Sequence, residues 1–575
     1  MIVEKLITDN IDIWSSALQT RSTAGRGSNG KIDLYGIRKL RELILELAVR
    51  GKLVPQDPND EPASELLKRI AAEKAELVKQ GKIKKQKPLP EISEEEKPFE
   101  LPVGWEWVRF GDISEIERGG SPRPIKDYIT IDEDGLNWIK IGDTDIGGKY
   151  ISSAKEKIKV SGLKKTRMVY PGDFLLTNSM SFGRPYITLI EGCIHDGWLR
   201  ISPPLLLDKD FLYLLLSSPF IIKAFKEKAS GAVVLNLNAD KVREIFILIP
   251  PFAEQQRIVA KVNKLMSLCD QLEQQSLTSL DAHQQLVETL LATLTDSQNA
   301  EQLAENWARI SQHFDTLFIT EASIDALKQT ILQLAVMGKL VPQDPNDEPA
   351  SELLKHIEQE KAQLVKEGKI KKQKPLPPVS DEEKPFELPK GWEWCRFGSV
   401  INIRAELVKP ESYYDSYQVA PDIIEKGTGK VLSQRTVRES GVKGPNSRFY
   451  KNQIVYSKIR PSLSKAFIAE YDGLCSADMY PLDCFLDAGY LLKVILSEVF
   501  LMQVRVAENR IKMPKLNVES LSNIVIPIPP VTMQGVVYRK ISQIDTFCDT
   551  LKSRLQSAQQ TQLHLADALT DAALN

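Results

Sequence analysis

Residues 51–68 read GKLVPQDPNDEPASELLK, and residues 338–355 read the same eighteen letters. The offset is 287 positions, from Gly51 to Gly338. The register holds on both sides. ILELAVRG (Ile44–Gly51) precedes the first copy and ILQLAVMG (Ile331–Gly338) the second. KIKKQKPLP occupies Lys82–Pro90 and Lys369–Pro377; KPFELP occupies Lys97–Pro102 and Lys384–Pro389; GWEW occupies Gly104–Trp107 and Gly391–Trp394. The copies then part for more than a hundred residues. They converge again in LNLNADKVREIFILIPP, ending at Pro251, and KLNVESLSNIVIPIPP, ending at Pro530. The offset there is 279, so the second insert is eight residues shorter. The chain is two copies of one unit joined head to tail. Solenoid repeats run about 20–50 residues, so these copies are domains with cores of their own. Shared residues are expected to be scaffold. The divergent interior is expected to carry function.

Composition narrows the class. At 575 residues, 42% hydrophobic and 26% charged, the chain reads as globular. It has no run of about 18 apolar residues, the length a membrane span needs. MIVEKLITDN lacks the basic start and apolar centre of a signal peptide. The six cysteines (Cys193, Cys269, Cys395, Cys475, Cys484, Cys548) form no C-x-x-C pair. That favours a reducing cytoplasm and no zinc site. The five histidines are scattered singly and read as ordinary core or surface residues. A net charge of −2 argues against indiscriminate coating of nucleic acid, while leaving room for a local basic groove.

Ser22–Gly30 (STAGRGSNG) reads as a flexible linker. A helix is predicted from about Asp33 to Arg50, with Leu40, Leu43, Ile44, Leu47 and Ala48 on one face. Gly51 suits the position after its end, and Pro55 forbids continuation. Ser64–Lys79 is predicted as a second helix. The charged connector, KIKKQK then PLP then EISEEEK, reads as a solvated, semi-rigid linker. The alternative is a docking strip or a phosphate contact through Lys82, Lys84 and Lys85. The variable regions read as mixed α/β. Strand-like runs are Trp138–Ile141, Phe174–Thr177, Ile245–Ile249, Ile454–Ser457 and Ile524–Ile528. Apolar helix candidates are Phe211–Lys228 and Gly489–Val506.

Each copy ends in Pro-Pro and a predicted helix of about forty residues, roughly 60 Å long. Its stripe runs Ile258, Val262, Leu265, Cys269, Leu272, Leu286, Leu290 in the first copy. In the second it runs Val537, Ile541, Ile544, Cys548, Leu551, Leu555, Leu565. A stripe that long needs a partner, and the two equivalent helices are the natural pair.

The motif P-x-G-W-x-W-x-x-F-G at Pro102–Gly111 and Pro389–Gly398 resembles the opening of a target recognition domain. Ile249–Ile258, with Pro251, Glu254, Gln255 and Ile258, resembles its closing motif. With the lead-in ILELAVRGKLVPQD, the chain resembles a type I restriction–modification specificity subunit over nearly its whole length. One departure is visible: PPVTMQGVV places Met533 where the first copy has Glu254. A contact made by that glutamate is therefore expected in one half only.

The resemblance implies an α+β fold of two globular mixed α/β target recognition domains. A pair of long antiparallel helices would separate them, with pseudo-twofold symmetry from the tandem repeat. The expected divisions are an N-terminal helical region with charged linker (1–100), a first recognition domain (101–250), and a central region with long helix and second linker (251–387). A second recognition domain (388–530) and a C-terminal long helix (531–575) follow. Each domain would read one half of a bipartite, asymmetric DNA target, with the helices setting the gap. The implied partners are double-stranded DNA, two methyltransferase subunits and restriction–translocase subunits, with no membrane. S-adenosylmethionine, ATP and magnesium would belong to those partner subunits, with no cofactor in this chain.

No catalytic motif is found. G-x-x-x-x-G-K-[ST], whose amides would cradle phosphates, is missing. The Pro-Pro pairs after Ser202, Ile249 and Ile528 lack the preceding Asn or Asp that an adenine methyltransferase uses. Two alternatives stay open: a protein–protein scaffold with two variable binding domains, and a self-contained DNA methyltransferase or nuclease.

Base readout needs Arg or Lys for guanine and Asn or Gln for adenine, whereas phosphates need only positive charge. In the first region the candidates are Arg118 and Arg123, on a loop with Gly119 and Gly120 that permits close backbone approach. Lys164, Lys165 and Arg167 follow, then Asn178, Ser179, Ser181 and Arg184 after a strand. In the second region they are Arg404, Lys409, Arg435 and Lys443, then Lys458, Arg460, Ser462 and Lys465, then Arg510 and Lys512; Arg438 and Arg448 are further possibilities. The strand-end segments 177–184 and 457–465 stand out, because they correspond between copies yet differ in chemistry.

Overall fold

A computed structural model describes residues 3–21, 31–83, 85–145, 147–178, 182–229, 237–404, 406–507 and 514–574. The predicted linker Ser22–Gly30 lies outside them, as do Lys84, Ser179, Ser181, Arg510 and Lys512. The chain forms two compact units, Met1–Thr278 with Ala558–Asn575, and Ser279–Ser557. Both are mixed helix and sheet.

In the first unit the lead helix spans Tyr35–Val49 and buries the predicted face: Leu40, Leu43, Ile44, Leu47 and Ala48 are all under 4% exposed. Gly51 follows it at φ +67°, and a side chain there would strike the Pro102 ring at 2.4 Å. Lys52 N donates to Leu47 O at 2.9 Å, closing the helix end. The second helix spans Ala63–Lys79. Its Lys74 donates to the carbonyls of Gly111 (2.6 Å) and Asp112 (3.0 Å), which ties the helix to the domain. In the second unit Ala350–Lys366 does the same. Lys361 reaches the carbonyls of Gly398, Ser399 and Ile401 at 2.8–3.2 Å, and burial pushes its pKa down to about 8.

The charged connector is docked on the domain. Arg109 donates to the carbonyls of Pro90 and Glu244. Arg396 donates to Pro377, Pro378 and Asn523 and closes a two-pronged pair with Glu383 at 2.7 Å. The Arg396 guanidinium and the Ser380 backbone amide hold the Glu383 carboxyl down at about 2. The linker's proline half thus packs on the domain, whereas Lys82 and Lys85 stay exposed.

The opening and closing motifs of each variable region pair as antiparallel strands: Glu106–Arg109 with Phe246–Ile249, and Glu393–Arg396 with Val525–Ile528. Between them the first domain carries two five-stranded sheets. One runs Glu115–Arg118, Trp198–Ser202, Phe174–Thr177, Pro185–Thr188, Tyr150–Ile151; the other runs Ile129–Thr130, Glu156–Ile158, Leu136–Ile139, Gly192–Ile194, Arg167–Val169. The second domain has two four-stranded sheets. They run Ile401–Ile403, Met479–Cys484, Ile454–Ser457, Ala466–Ile468, and Leu407–Val408, Asn446–Phe449, Gly473–Ser476, Tyr417–Val419. The two apolar helix candidates each break into a pair, at Ser218 before Pro219 and at Leu496–Ser497.

The long helices span Phe252–Thr295 and Val531–Leu574, 44 residues each. In the first unit the repeated turn meets the start of one through Gln56–Glu254 and the end of the other through Lys52–Leu574. Further along the lead helix, Arg41 pairs with Asp270 and Lys39 with Asp567. The two long helices are therefore antiparallel. The predicted stripe needs one correction in each. Ile258, Val262, Leu265, Cys269 and Leu272 are buried, but Leu286 is 52% exposed and Val287 is buried instead. Likewise Leu565 is 42% exposed and Ala566 is buried. Val287, Leu291 and Leu294 share a core with Ile310, Leu317 and Ile324, so a different set of neighbours selects the buried face there.

One contact hub differs between the units. In the first, the buried Glu254 accepts from Trp105 Nε1 (2.9 Å) and Gln56 Nε2 (3.1 Å). In the second, Met533 stands there, and Gln343 Oε1 accepts directly from Trp392 Nε1 at 2.7 Å. The contact expected in one half only is present in one half only.

Candidate nucleic-acid interface

Strand register decides which basic residues meet. In the first domain Arg118 lies opposite Leu199, Thr177 opposite Trp198, and Arg167 opposite Ile194. All three positions border the turn His195–Gly197. Thr177 N donates to Arg184 O (3.1 Å), so Arg184 closes the hairpin at the same end. Gly120 N donates to Ile194 O, which brings the 119–124 loop alongside. Arg118, Arg123, Lys164, Lys165, Arg167 and Arg184 are thereby gathered at one end of the sheets.

Asp196 organises this end. Its carboxylate accepts from Ser121 Oγ (2.7 Å) and Arg123 (3.4 Å), and its carbonyl accepts from Arg118 Nε (3.3 Å) and Asn178 Nδ2 (2.8 Å). The Ser121 hydroxyl, with Arg123 nearby, holds the Asp196 carboxyl below the usual range. Burial lowers the pKa of neighbouring His195, whose Nδ1 accepts from Gly197 N at 2.8 Å. Asn178 is only 1% exposed, and its amide braces the turn from within. Gly119 and Gly120 allow close approach of a different kind from the expected one. Side chains there would meet the protein's own carbonyls, His195 O at 2.2 Å and Lys165 O at 2.6 Å. Lys165 donates to Tyr128 Oη (2.8 Å), and Arg167 pairs with Glu117 (3.3 Å).

The second domain repeats the frame with other side chains. Ser457 N donates to Lys465 O at 2.9 Å, as Thr177 does to Arg184. Leu516 N donates to Lys458 O, as Leu237 does to Asn178. Lys458 Nζ then reaches Ala477 O (2.7 Å), the turn carbonyl that corresponds to Asp196 O. An ammonium replaces an amide in the same bracing task. Lys409 follows Val408, which pairs with Asn446, itself paired with Ser476. Lys409, Lys443 and Arg460 therefore lie at the same end, all exposed. Ser462 is half-buried within the tip, and Lys465 Nζ donates to Pro421 O.

The structure does not bring Arg404 and Arg435 to that end as free cations. Arg404 pairs with Asp483 (3.4 Å) over the Tyr450 ring. Arg435 makes a two-pronged pair with Asp422 at 3.0 and 3.1 Å and also reaches Gln418. Arg438 pairs with Asp415 and Arg448 with Glu406, each beside tyrosines.

Among the described residues, five exposed candidates make no hydrogen bond or ion pair through the side chain: Lys164 and Arg184 in the first domain, Lys409, Lys443 and Arg460 in the second. Arg123 is nearly free, its side chain 81% exposed with one long ion pair. An exposed pair of that kind is worth about 0–1 kcal/mol, so a phosphate could displace it.

The residues missed from sequence are Asp196 and Lys515. Asp196 sits in a His-Asp-Gly turn, a pattern that marks a loop but not its neighbours. Lys515 pairs with Asp478 at 3.0 Å and directly precedes Leu516-Asn517, which the first copy repeats as Leu237-Asn238 and which reads as scaffold. Among the described residues no group of three or more His, Cys, Asp or Glu could hold a metal ion. Among the described residues no helix is long and apolar enough to cross a membrane.

A model of the "Type I restriction modification DNA specificity domain" matches residues 102–282 and 389–560. The Escherichia coli type I restriction enzyme EcoEI specificity subunit is 51% identical over the full length of both chains. The EcoAI specificity subunit of the same organism is 49% identical, also over all of both. A solved chain from a type I restriction–modification system aligns with 83% of this chain and 99% of its own, at 18% identity and a TM-score of 0.47. With two matched domains, one at each set of gathered strand ends, and full-length identity near one half, this chain belongs to the family of type I restriction enzyme specificity subunits.

Proposed function

We propose that the chain is the non-catalytic DNA-reading subunit of its complex, with one half-site read at the strand-end cluster of each recognition domain, residues 101–250 and 388–530. The observation that carries this reading is the hairpin end built twice on one backbone frame and furnished differently: the exposed arginine is Arg184, after the tip, in one copy and Arg460, before it, in the other. A shared frame with unlike side chains suits two unlike half-sites. Phosphate contacts fall to Lys164, Lys409, Lys443 and Arg123, which need only charge.

In this reading the antiparallel helices, each about 66 Å long, fix the gap between half-sites. Two methyltransferase subunits dock on the repeated scaffold, and restriction–translocase subunits join them. The exposed face of the repeat supports this. Pro55–Pro62 and Pro342–Pro349 are largely solvent-facing and identical, which folding alone does not require. S-adenosylmethionine, ATP and magnesium belong to the partners. The complex acts in the cytoplasm, where the free cysteines stay reduced.

Exchange of residues 101–250 for another family member's region tests the reading. Methylated adenines mapped in host DNA should show one half-site changed and the other intact. Change in both halves would sink the two-headed assignment. Methylation by the isolated chain with S-adenosylmethionine would sink the non-catalytic one.

A further inference from the structure

We propose that Arg460 selects one base pair of the second half-site by two-pronged donation to a guanine; this rests on the DNA-reading assignment above. Among the described residues three non-glycines have positive φ: Asn452, Arg460 and Ser464. Asparagine tolerates that region. The other two bracket the Pro461–Leu463 turn at the hairpin tip. Arg460 has φ 45° and ψ 54°, and it precedes a proline. Proline's ring presses the preceding residue toward extended backbone, so Arg460 sits where both its own Cβ and its neighbour oppose it.

The surrounding chain enforces this conformation. Arg460 N donates to Pro514 O and Leu463 N to Arg460 O, both at 2.9 Å. Ile459 bridges Lys515. Pro514 and Lys515, which lead into the Leu516-Asn517 pair that the first copy repeats as Leu237-Asn238, therefore clamp a tip that differs between the copies. Strained backbone held by its surroundings is a mark of functional sites.

The side chain that leaves this locked backbone is exposed and makes no hydrogen bond or ion pair among the described residues. The other arginines of the domain's described candidate set are paired with carboxylates. Lys409 and Lys443 are unpaired but act as point charges. Only arginine has the planar fork that matches O6 and N7 of guanine. A fixed origin for that fork lowers the ordering cost of binding. The first domain has Gly183 (φ +73°) where the second has Ser464 (φ +50°), and Arg184 follows it as Lys465 follows Ser464.

The test uses the full chain co-expressed with its methyltransferase partner, as Arg460→Gly and Arg460→Lys variants. Glycine relieves the backbone, so Arg460→Gly should melt at the wild-type temperature or above. It should nevertheless lose at least tenfold discrimination at one base pair of one half-site, read from methylated adenines in host DNA. Arg460→Lys, which keeps the charge but not the planar fork, should lose discrimination at the same base pair. A motif unchanged in both variants would overturn the proposal. So would a uniform drop in methylation at every position, which would make Arg460 a phosphate contact. If Arg460→Gly fails to accumulate, the lysine variant decides alone. A wild-type complex that methylates no bipartite motif would instead defeat the DNA-reading assignment.

Discussion

Gly51–Lys68 and Gly338–Lys355 have the same sequence and bond differently. In both units Gly51 or Gly338 turns the chain against a proline ring, and Lys52 or Lys339 caps the end of a long helix. Lys52 reaches Leu574 O at 2.6 Å; Lys339 reaches Thr295 O and Ser297 O at 2.9 Å. The glutamine separates them. Gln56 donates to Glu254, whereas Gln343 accepts from Trp392, because Met533 offers no oxygen. Asp60 pairs with Arg257 in the first unit; Val536 stands at the corresponding position in the second. An identical segment is thus set by one residue on the helix it meets.

The comparison can be strained hardest at Met533. Met533→Glu should destabilise the second unit by roughly 3 kcal/mol at neutral pH, because a buried carboxylate arrives with no arginine beside it. Adding Val536→Arg should recover part of that loss. Calorimetric unfolding of single and double variants would show it, and an unaltered single variant would mean the hubs are interchangeable. Gln343→Ala should cost about 1–3 kcal/mol, since Trp392 Nε1 would be left buried without its acceptor. Gln56→Ala should cost about 1 kcal/mol, since Trp105 keeps Glu254. Hydrogen exchange in Ile44–Gly51 and Ile331–Gly338, which differ in sequence, reports each turn separately. Equal effects would erase the distinction.

The smallest effect expected is a pH dependence. Burial raises the Glu254 carboxyl above its ordinary value. A raised carboxyl adds stability when protonated and loses it as pH rises through the raised value. Wild type should therefore gain stability relative to Glu254→Met on acidification from neutral pH. A constant difference between the two across pH 5–8 would contradict this origin.

Much of the scaffold was legible in the residues. The lead helix, the strands Phe174–Thr177 and Ile454–Ser457, and both long helices were readable because period and punctuation are local signals. The helix breaks at Ser218 and Leu496–Ser497 were not, since apolar periodicity continues through them. The site was less legible. Asn178 looks like a base reader in sequence, yet it is buried and holds a turn. Arg404 and Arg435 look like free cations, yet carboxylates distant in sequence engage them.

The sequence by itself determined the duplication, the family, and the one-sided glutamate, because each is a statement about which residue stands where. Tertiary structure alone decided which cations remain uncommitted and which positions share one end of a sheet. Charge is a property of a residue, but its availability depends on partners that strand register brings from tens of positions away.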